Sequence, residues 1–345
     1  MNLQLLTSSK LLYSIPILAA TTYFYTSRTN MLKISAIRAA NAAFVSQRVT
    51  SPVGIFIGGT SGIGLAAMRA FTLATVSPTI YFLGRNASAA EEITASLSPL
   101  DPSAKITFIQ SDLSLLKNAF AAATEIKEKE RAVNLLFISA GYMTLSGADI
   151  TAEGLEKKMV INYYARMVFP AVLLSALKEG VKTHPSLGAR VISVYCPGQE
   201  GPVIESDMEL VSPTNFSSAQ AARQASAMTS LAFEYLAEEN PDIGWVHASP
   251  GMVMTGLFRD MPGYVKVFTP LAGLVSTSLE DSGEGFLRLA TGEGYARGFA
   301  LVDWRGKVLD TRSGGGGWLG GRKGWWREGL GEKIWGNTRE VVERV

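Results

Sequence analysis

Short apolar runs alternate along this chain with longer stretches whose apolar residues recur every three or four positions. The runs at 52–56, 79–83, 105–109, 135–138, 190–195 and 245–249 read as strands, and 300–303 as a seventh. The stretches between them predict helices at 65–74, at 88–97 with Ser88 as the cap, beyond 113 through 129, at 151–177 and at 217–239. Pro170 lies inside the fourth and is expected to kink it or split it in two. Strands alternating with helices at this spacing predict an α/β fold: a doubly wound parallel sheet, covered on both faces, in a single domain. Ahead of it, residues 31–44 have Ile34, Ile37, Asn41 and Phe44 at helical spacing, the mark of an amphipathic helix. Behind it, residues 313–324 include four consecutive glycines and read as a mobile loop. Trp325, Trp326, Ile334 and Trp335 are assigned to a terminal helix running to Val345, which caps the fold or meets a partner.

Composition narrows the function. The chain has 345 residues, 47% of them hydrophobic, and a net charge of +2, which leaves no electrostatic case for nucleic acid as a partner. Its single cysteine, Cys196, excludes an intramolecular disulfide, and with only His184 and His247 no metal centre is expected. Residues 11–25 are apolar but short for a membrane span, and Pro16 interrupts them. Two readings stay open: weak membrane association through 11–25, or an inert extension ahead of a cytoplasmic enzyme that starts at Met31. The expected division is therefore an apolar extension or anchor (1–30), an amphipathic helix (31–50), the α/β domain (51–305), and a Gly/Trp-rich loop with a C-terminal helix (306–345).

The chemistry centres on the glycine-rich turn at 57–64, which follows an apolar strand and opens a helix. In that context it reads as a Rossmann-type dinucleotide site. Gly58 permits the tight turn, and Gly62 lets the backbone approach a pyrophosphate. Gly64 brings the helix close to the strand, so that its N-terminal amides face the phosphates. Thr60, Ser61 and Ile63 complete the cradle.

Further motifs follow in an order that resembles the short-chain dehydrogenase/reductase family from about residue 53 to about 303. The turn at 57–64 matches its glycine motif, with Ile57 where threonine is usual. Arg85 stands just past the second strand, where an acid would hold the ribose of NAD and an arginine suits the 2′-phosphate of NADP. Asp112 matches the aspartate beside the adenine, although a helix-capping aspartate would look the same. Ser139, Ala140 and Gly141 match an Asn-Ala-Gly turn with serine replacing asparagine, and Asn162 matches the helix asparagine of the proton relay. Pro250, Gly251 and Thr255 match the segment that lies against the nicotinamide. The detailed pattern resembles reductases of fungal secondary metabolism. The resemblance implies NADP(H) as cofactor, a small-molecule substrate and, as an open point, a homo-oligomer.

One departure is decisive. The family's general acid is a tyrosine, and a lysine four residues later on the same helix face tunes it. The helix at 217–239 contains no Tyr-x-x-x-Lys; alignment puts Ala222 at the tyrosine and Ser226 at the lysine. The serine that steadies the substrate carbonyl falls on Cys196, or on Tyr195 if the register slips by one. Tyr195, at a strand end that should face the nicotinamide, is the first candidate for a replacement acid, and Tyr142 the second. Cys196 is either a nucleophile, a weak acid or an inert thiol. His247 is expected to be a satisfied core histidine, and at most one of Tyr163 and Tyr164 enters the cleft. Three functions remain: an NADP(H)-dependent oxidoreductase with an altered proton donor acting on a bulky substrate, a non-redox isomerase or cyclase, and a cofactor-binding protein without turnover.

Overall fold

A computed structural model describes residues 33–253, 255, 276–303, 306–310 and 325–344. The apolar stretch at 11–25, Met31 and the glycine run at 313–324 lie outside the described residues. In chain order the elements are α1 (Ile34–Val45), β1 (Val53–Ile57), α2 (Gly62–Ala74), β2 (Thr79–Gly84), α3 (Ala87–Leu97), β3 (Lys105–Gln110), α4 (Leu116–Lys129) and β4 (Leu135–Ile138). They continue with α5 (Lys157–Thr183), β5 (Arg190–Val194), α6 (Ser218–Glu239), β6 (Gly244–Ala248), α7 (Leu279–Thr291), β7 (Gly298–Val302), β8 (Val308–Leu309) and α8 (Leu330–Glu343). The strands form one eight-stranded sheet in the order β3-β2-β1-β4-β5-β6-β7-β8, parallel except for β8 at the edge. The chain order reverses direction between β1 and β4, and the carboxyl ends on either side of that switch point are where α/β sheets bind ligands.

Each central strand is buried on both faces, so its residues alternate between two cores with a period of two. Ile55, Ile57, Leu136, Ile138, Val191 and Trp245 face the layer built by α4, α5, α6 and α8. Phe56, Leu135, Phe137, Ile192 and Val246 face the layer built by α2, α3 and α7, which α1 joins through Phe44. On the first face the alternation changes character at the carboxyl end. Ser193 and His247, paired in register on β5 and β6, follow Val191 and Trp245 as fully buried polar residues.

Four expectations are corrected. Asn86, not Ser88, caps α3: its side-chain oxygen accepts from the Ala89 amide at 3.1 Å, the reach of an N-cap to the third helical residue. The long helix starts at Lys157 rather than 151, because the Glu156 carboxylate caps the amides of Lys158 and Met159 at 2.7 and 3.0 Å. That helix runs through Pro170 without splitting in two. The hydrogen bond that proline removes is offset by burial of every residue from Ala165 to Pro170. It is long and apolar enough to span a membrane, yet most of its apolar window is buried within the protein as a core helix. The terminal helix begins at Leu330, so Trp325 and Trp326 precede it; Trp325 is buried against the first core and the indole of Trp326 donates to Glu234 at 2.7 Å.

Helix α7 is not among the helices read from the sequence: Glu280, Asp281, Ser282, Gly283 and Glu284 leave its first half polar, and its buried side is carried by Phe286, Leu287 and Leu289. Its place is set by packing. A Cβ at Gly283 would lie 2.7 Å from the Ala66 carbonyl oxygen, so only glycine lets α7 lie this close on α2. Asn41 of α1 is buried and donates to the Glu284 carbonyl at 3.0 Å and its carboxylate at 2.5 Å.

Candidate active site

The glycine turn is built by close approach. Gly58 has φ +93°, and a Cβ there would lie 2.5 Å from the Ala140 nitrogen. A Cβ at Gly64 would collide with the Gly58 carbonyl and the Ser139 hydroxyl. The amides of Gly58 and Gly59 bond the Leu83 carbonyl at 3.1 Å, and those of Ser139 and Ala140 bond the Ile57 carbonyl at 2.8 Å. The ends of β1, β2 and β4 are thereby locked around one turn. Ser61, in extended conformation, makes no side-chain cap on α2. The helix therefore begins with amides left for an anion, in a cradle that a single Cβ would fill. These residues fit the pyrophosphate of a dinucleotide.

The flanking residues gather at the same edge. A Cβ at Gly84 would lie 2.7 Å from the Thr60 hydroxyl, so Thr60 packs on the end of β2 immediately before Arg85. Arg85 is exposed, and its guanidinium has no hydrogen bond or ion pair among the described residues. Its carbonyl accepts from Gln110 at 3.0 Å, which ties the end of β2 to the end of β3, two residues before Asp112. Asp112 accepts from the Ser114 amide at 3.1 Å in a local turn. It does not cap α4; the remote Glu153 does, accepting from the amides of Leu116 and Lys117 at 2.6 and 3.1 Å. Gly62 (φ +57°) faces Thr255, whose methyl would lie 3.0 Å from a Cβ added there. The turn after β6 (Pro250 half-buried, Gly251 with φ +69°) thus brings Thr255 to the start of α2, 193 positions away in sequence from Gly62. Gly141 is exposed beside the buried end of β4, and Ile63 is half-buried in the first turn of α2.

The other half of the candidate site is different. Asn162 lies in a π-helical turn, Val160–Tyr164, inside α5. Its amide clamps the backbone of Tyr142, donating to the carbonyl and accepting from the N–H, both at 2.9 Å. Tyr142 is half-buried, with the Lys157 ammonium 5.5 Å from its ring centre. Neither Tyr163 nor Tyr164 enters the cleft. Their hydroxyls turn to α8, bonding Thr338 at 2.7 Å and Asn337 at 2.9 Å.

On α6, Ala222 is half-buried, while the Ser226 hydroxyl is buried and donates to the Cys196 carbonyl at 2.7 Å. The position of the expected lysine therefore pins the loop after β5. Cys196 is partly buried, and burial pushes its thiol up to about 11 against the opposing pull of Arg166. Tyr195 is bonded through its amide to the Ala248 carbonyl at 3.0 Å, and its hydroxyl has no hydrogen bond to a described residue. Burial raises its phenol pKa, Cys196 and Glu156 add to the rise, and Arg166 opposes it. The phenol is thus protonated at neutral pH and can donate.

Two features had no place in the sequence reading. Arg166 of α5 is 1% exposed. Its guanidinium donates to the Ala140 carbonyl at 2.5 Å, the Val194 carbonyl at 2.8 Å and the Ser193 hydroxyl at 3.1 Å. It lies 5.0 Å from the centre of the Tyr195 ring. The signal was available as one arginine within an apolar helix, four residues after Asn162 and so on the same face. The second is a buried chain of polar groups. Glu200 accepts from the Ser230 hydroxyl at 2.9 Å and from the Gly198 amide at 2.8 Å, and Ser230 also meets His247 Nδ1 at 2.8 Å. His247 is only half satisfied, because Nε2 has no partner among the described residues, and burial lowers its pKa to about 3, with Arg166 adding to the effect.

Comparison with known proteins gives the same frame. The short chain dehydrogenase family model matches residues 53–262. An oxidoreductase of Emericella nidulans is 33% identical over 263 residues, 74% of this chain and 76% of its own. Oxidoreductase andH of Emericella variicolor is 35% identical over 77% of each chain. Among solved structures, the NADPH-bound carbonyl reductase from chicken fatty liver superposes with a TM-score of 0.53 at 20% identity, covering 76% of this chain and 99% of that one. The glycine turn, the parallel sheet that carries it and these oxidoreductase relatives agree that the chain belongs to the short-chain dehydrogenase family.

Proposed function

We propose that the chain is an NADP(H)-dependent reductase whose proton donor has moved from α6 to Tyr195. The observation that carries the cofactor reading is the uncapped start of α2 in its glycine cradle, with the Arg85 guanidinium, unpaired among the described residues, at the end of the next strand. The amides of α2 would hold the pyrophosphate, Arg85 the 2′-phosphate, Asp112 the adenine side, and Ala140, Gly141, Pro250, Gly251 and Thr255 the nicotinamide half. Among neighbours of the same fold, the chicken carbonyl reductase is described as bound to NADPH. When bound, the cofactor supplies a hydride to an electrophilic carbon of the substrate.

The remaining work falls to this chain's own residues. Asn162 fixes the backbone at Tyr142, and Ser226 fixes the loop that carries Tyr195 and Cys196. Tyr195 gives its proton to the oxygen that gains charge and recovers one from water; such proton transfer contributes a factor of about 10² to 10⁴. Ala222 and Ser226 replace larger side chains, which favours a bulky substrate of the secondary-metabolite kind. The Cys196 thiol, with its raised pKa, is an inert neighbour in this reading. A non-redox isomerase or cyclase is the second reading, favoured by the loss of both residues of the Tyr/Lys pair from α6.

Titration of the full chain with NADPH and NADH, followed by nicotinamide fluorescence, tests the proposal. Micromolar NADPH binding with much weaker NADH binding is expected. Absence of binding by either overturns the oxidoreductase reading, and product formation without cofactor oxidation selects the second.

A further inference from the structure

The charge that the α6 lysine would bring is missing from its usual helix, but the site is not without a cation. Arg166 reaches the carboxyl ends of β4 and β5 from α5, and all three of its acceptors are neutral: two carbonyls and the Ser193 hydroxyl. It forms no ion pair with a described residue, and its Nε has no partner. A buried guanidinium without a carboxylate costs several kcal/mol in desolvation, so an apolar side chain would suit folding better at this position. Its positive charge is therefore spent on something other than a salt bridge. The group stacked against it is the ring of Tyr195, 5.0 Å away.

We propose that Arg166 is the positioning residue of the active site, taking over from α5 the electrostatic role of the absent α6 lysine. It holds the Tyr195 ring over its guanidinium and stabilises the phenolate left when that tyrosine donates. In that step the Tyr195 O–H bond breaks, a new O–H bond forms on the substrate oxygen, and the electron pair stays on the phenol oxygen beside the guanidinium. Water then returns the proton. This inference rests on the reading of Tyr195 as donor.

The other groups around the phenol pull the opposite way. Cys196 and Glu156 disfavour the phenolate. His247 is kept neutral, so it adds no competing cation. Arg166 is thus the one charge among those acting on the phenol that favours its anion.

The test places 3-fluorotyrosine at position 195 in the full chain and follows its ionisation by fluorine NMR, in the absence of substrate. Replacing the charge by Arg166→Met should lower the ionisation constant at least about tenfold, since a unit charge at this distance and partial burial shifts a neighbour by more than one pKa unit. Arg166→Lys, which keeps the charge, should restore most of the loss. Arg166→Met also removes three hydrogen bonds at the ends of β4 and β5, so Ser193→Asp is the second variant. It leaves the guanidinium in place and pairs it, and should shift the phenol in the same direction. An unchanged titration in Arg166→Met or Ser193→Asp, or an Arg166→Lys shift as large as that of Arg166→Met, overturns the proposal. Because no cofactor is needed, failure here is distinct from failure to bind NADPH.

Discussion

The two halves of the cleft are built by opposite means. Around β1, β2 and β4 the site is made by removing side chains: Gly58, Gly62, Gly64 and Gly84 let backbone and ligand approach, and the functional groups are amides. Around β5 and β6 polar and charged groups are buried instead: Arg166, Ser193, Glu200, Ser230 and His247, with Arg166 against the ring of Tyr195. A cradle of amides tolerates no added volume, whereas a buried polar cluster tolerates no lost partner. Steric substitutions should therefore break the first half, and changes of charge or pH the second.

The largest effect is expected from Gly58→Val. Its positive φ and its contact with Ala140 leave no room for a side chain, so NADPH binding should fall by more than about 10²-fold, consistent with strain of about 1–3 kcal/mol plus a displaced turn. Fluorescence titration reads it. If the variant binds as tightly as the parent, close approach is not what makes the cradle.

The next effect is a pH dependence in the second half. His247 is fully buried, and its pKa is lowered to about 3 from an unfolded value near 6.5. Between those values the unfolded chain binds a proton that the folded chain refuses, so stability rises with pH and is lost as pH falls from 6.5 toward 3. At pH 4.5 the loss is about 2–3 kcal/mol. Urea midpoints at pH 7 and 4.5 should differ far less in His247→Gln. Glu200 has the opposite sign: burial raises its pKa, so its contribution to stability falls as pH rises above the usual carboxylate range. Glu200→Gln should gain on the parent as pH increases through that window, and a constant gap would show that the carboxyl group is not held protonated.

Smaller still, Arg85→Ala should weaken NADPH about 10- to 100-fold while leaving NADH unchanged, as expected for one charge-assisted contact of about 1.5–3 kcal/mol. Equal weakening of both cofactors would place Arg85 away from the 2′-phosphate. Ser226→Ala should cost about 1 kcal/mol in stability, from one buried hydrogen bond to the Cys196 carbonyl, with NADPH affinity unchanged.

Much of this architecture was legible in advance because it is local or periodic. The central strands are short continuous apolar runs, and the Gly58–Gly62–Gly64 spacing fell between a strand and a helix. Strand and helix edges moved by a residue or a few, since they depend on caps such as Asn86 and Glu156 rather than on the pattern itself. The absence of Tyr-x-x-x-Lys was equally plain, because i and i+4 on one helix can be inspected directly. The contact of Arg166 with the ring of Tyr195 was not, because the two are separated in sequence by the end of α5 and the whole of β5.

By itself, then, the sequence determined the layered α/β fold, the place of the dinucleotide turn and the loss of the usual acid pair, all consequences of short-range spacing. Only the tertiary structure decided that Pro170 is tolerated, that α7 packs on α2, that Tyr163 and Tyr164 turn away to α8, and that Arg166 lies under Tyr195. Each of those outcomes depends on what a distant segment offers as a partner. Burial strengthens such pairings by excluding water, and it is set by the packed chain rather than by any stretch of it.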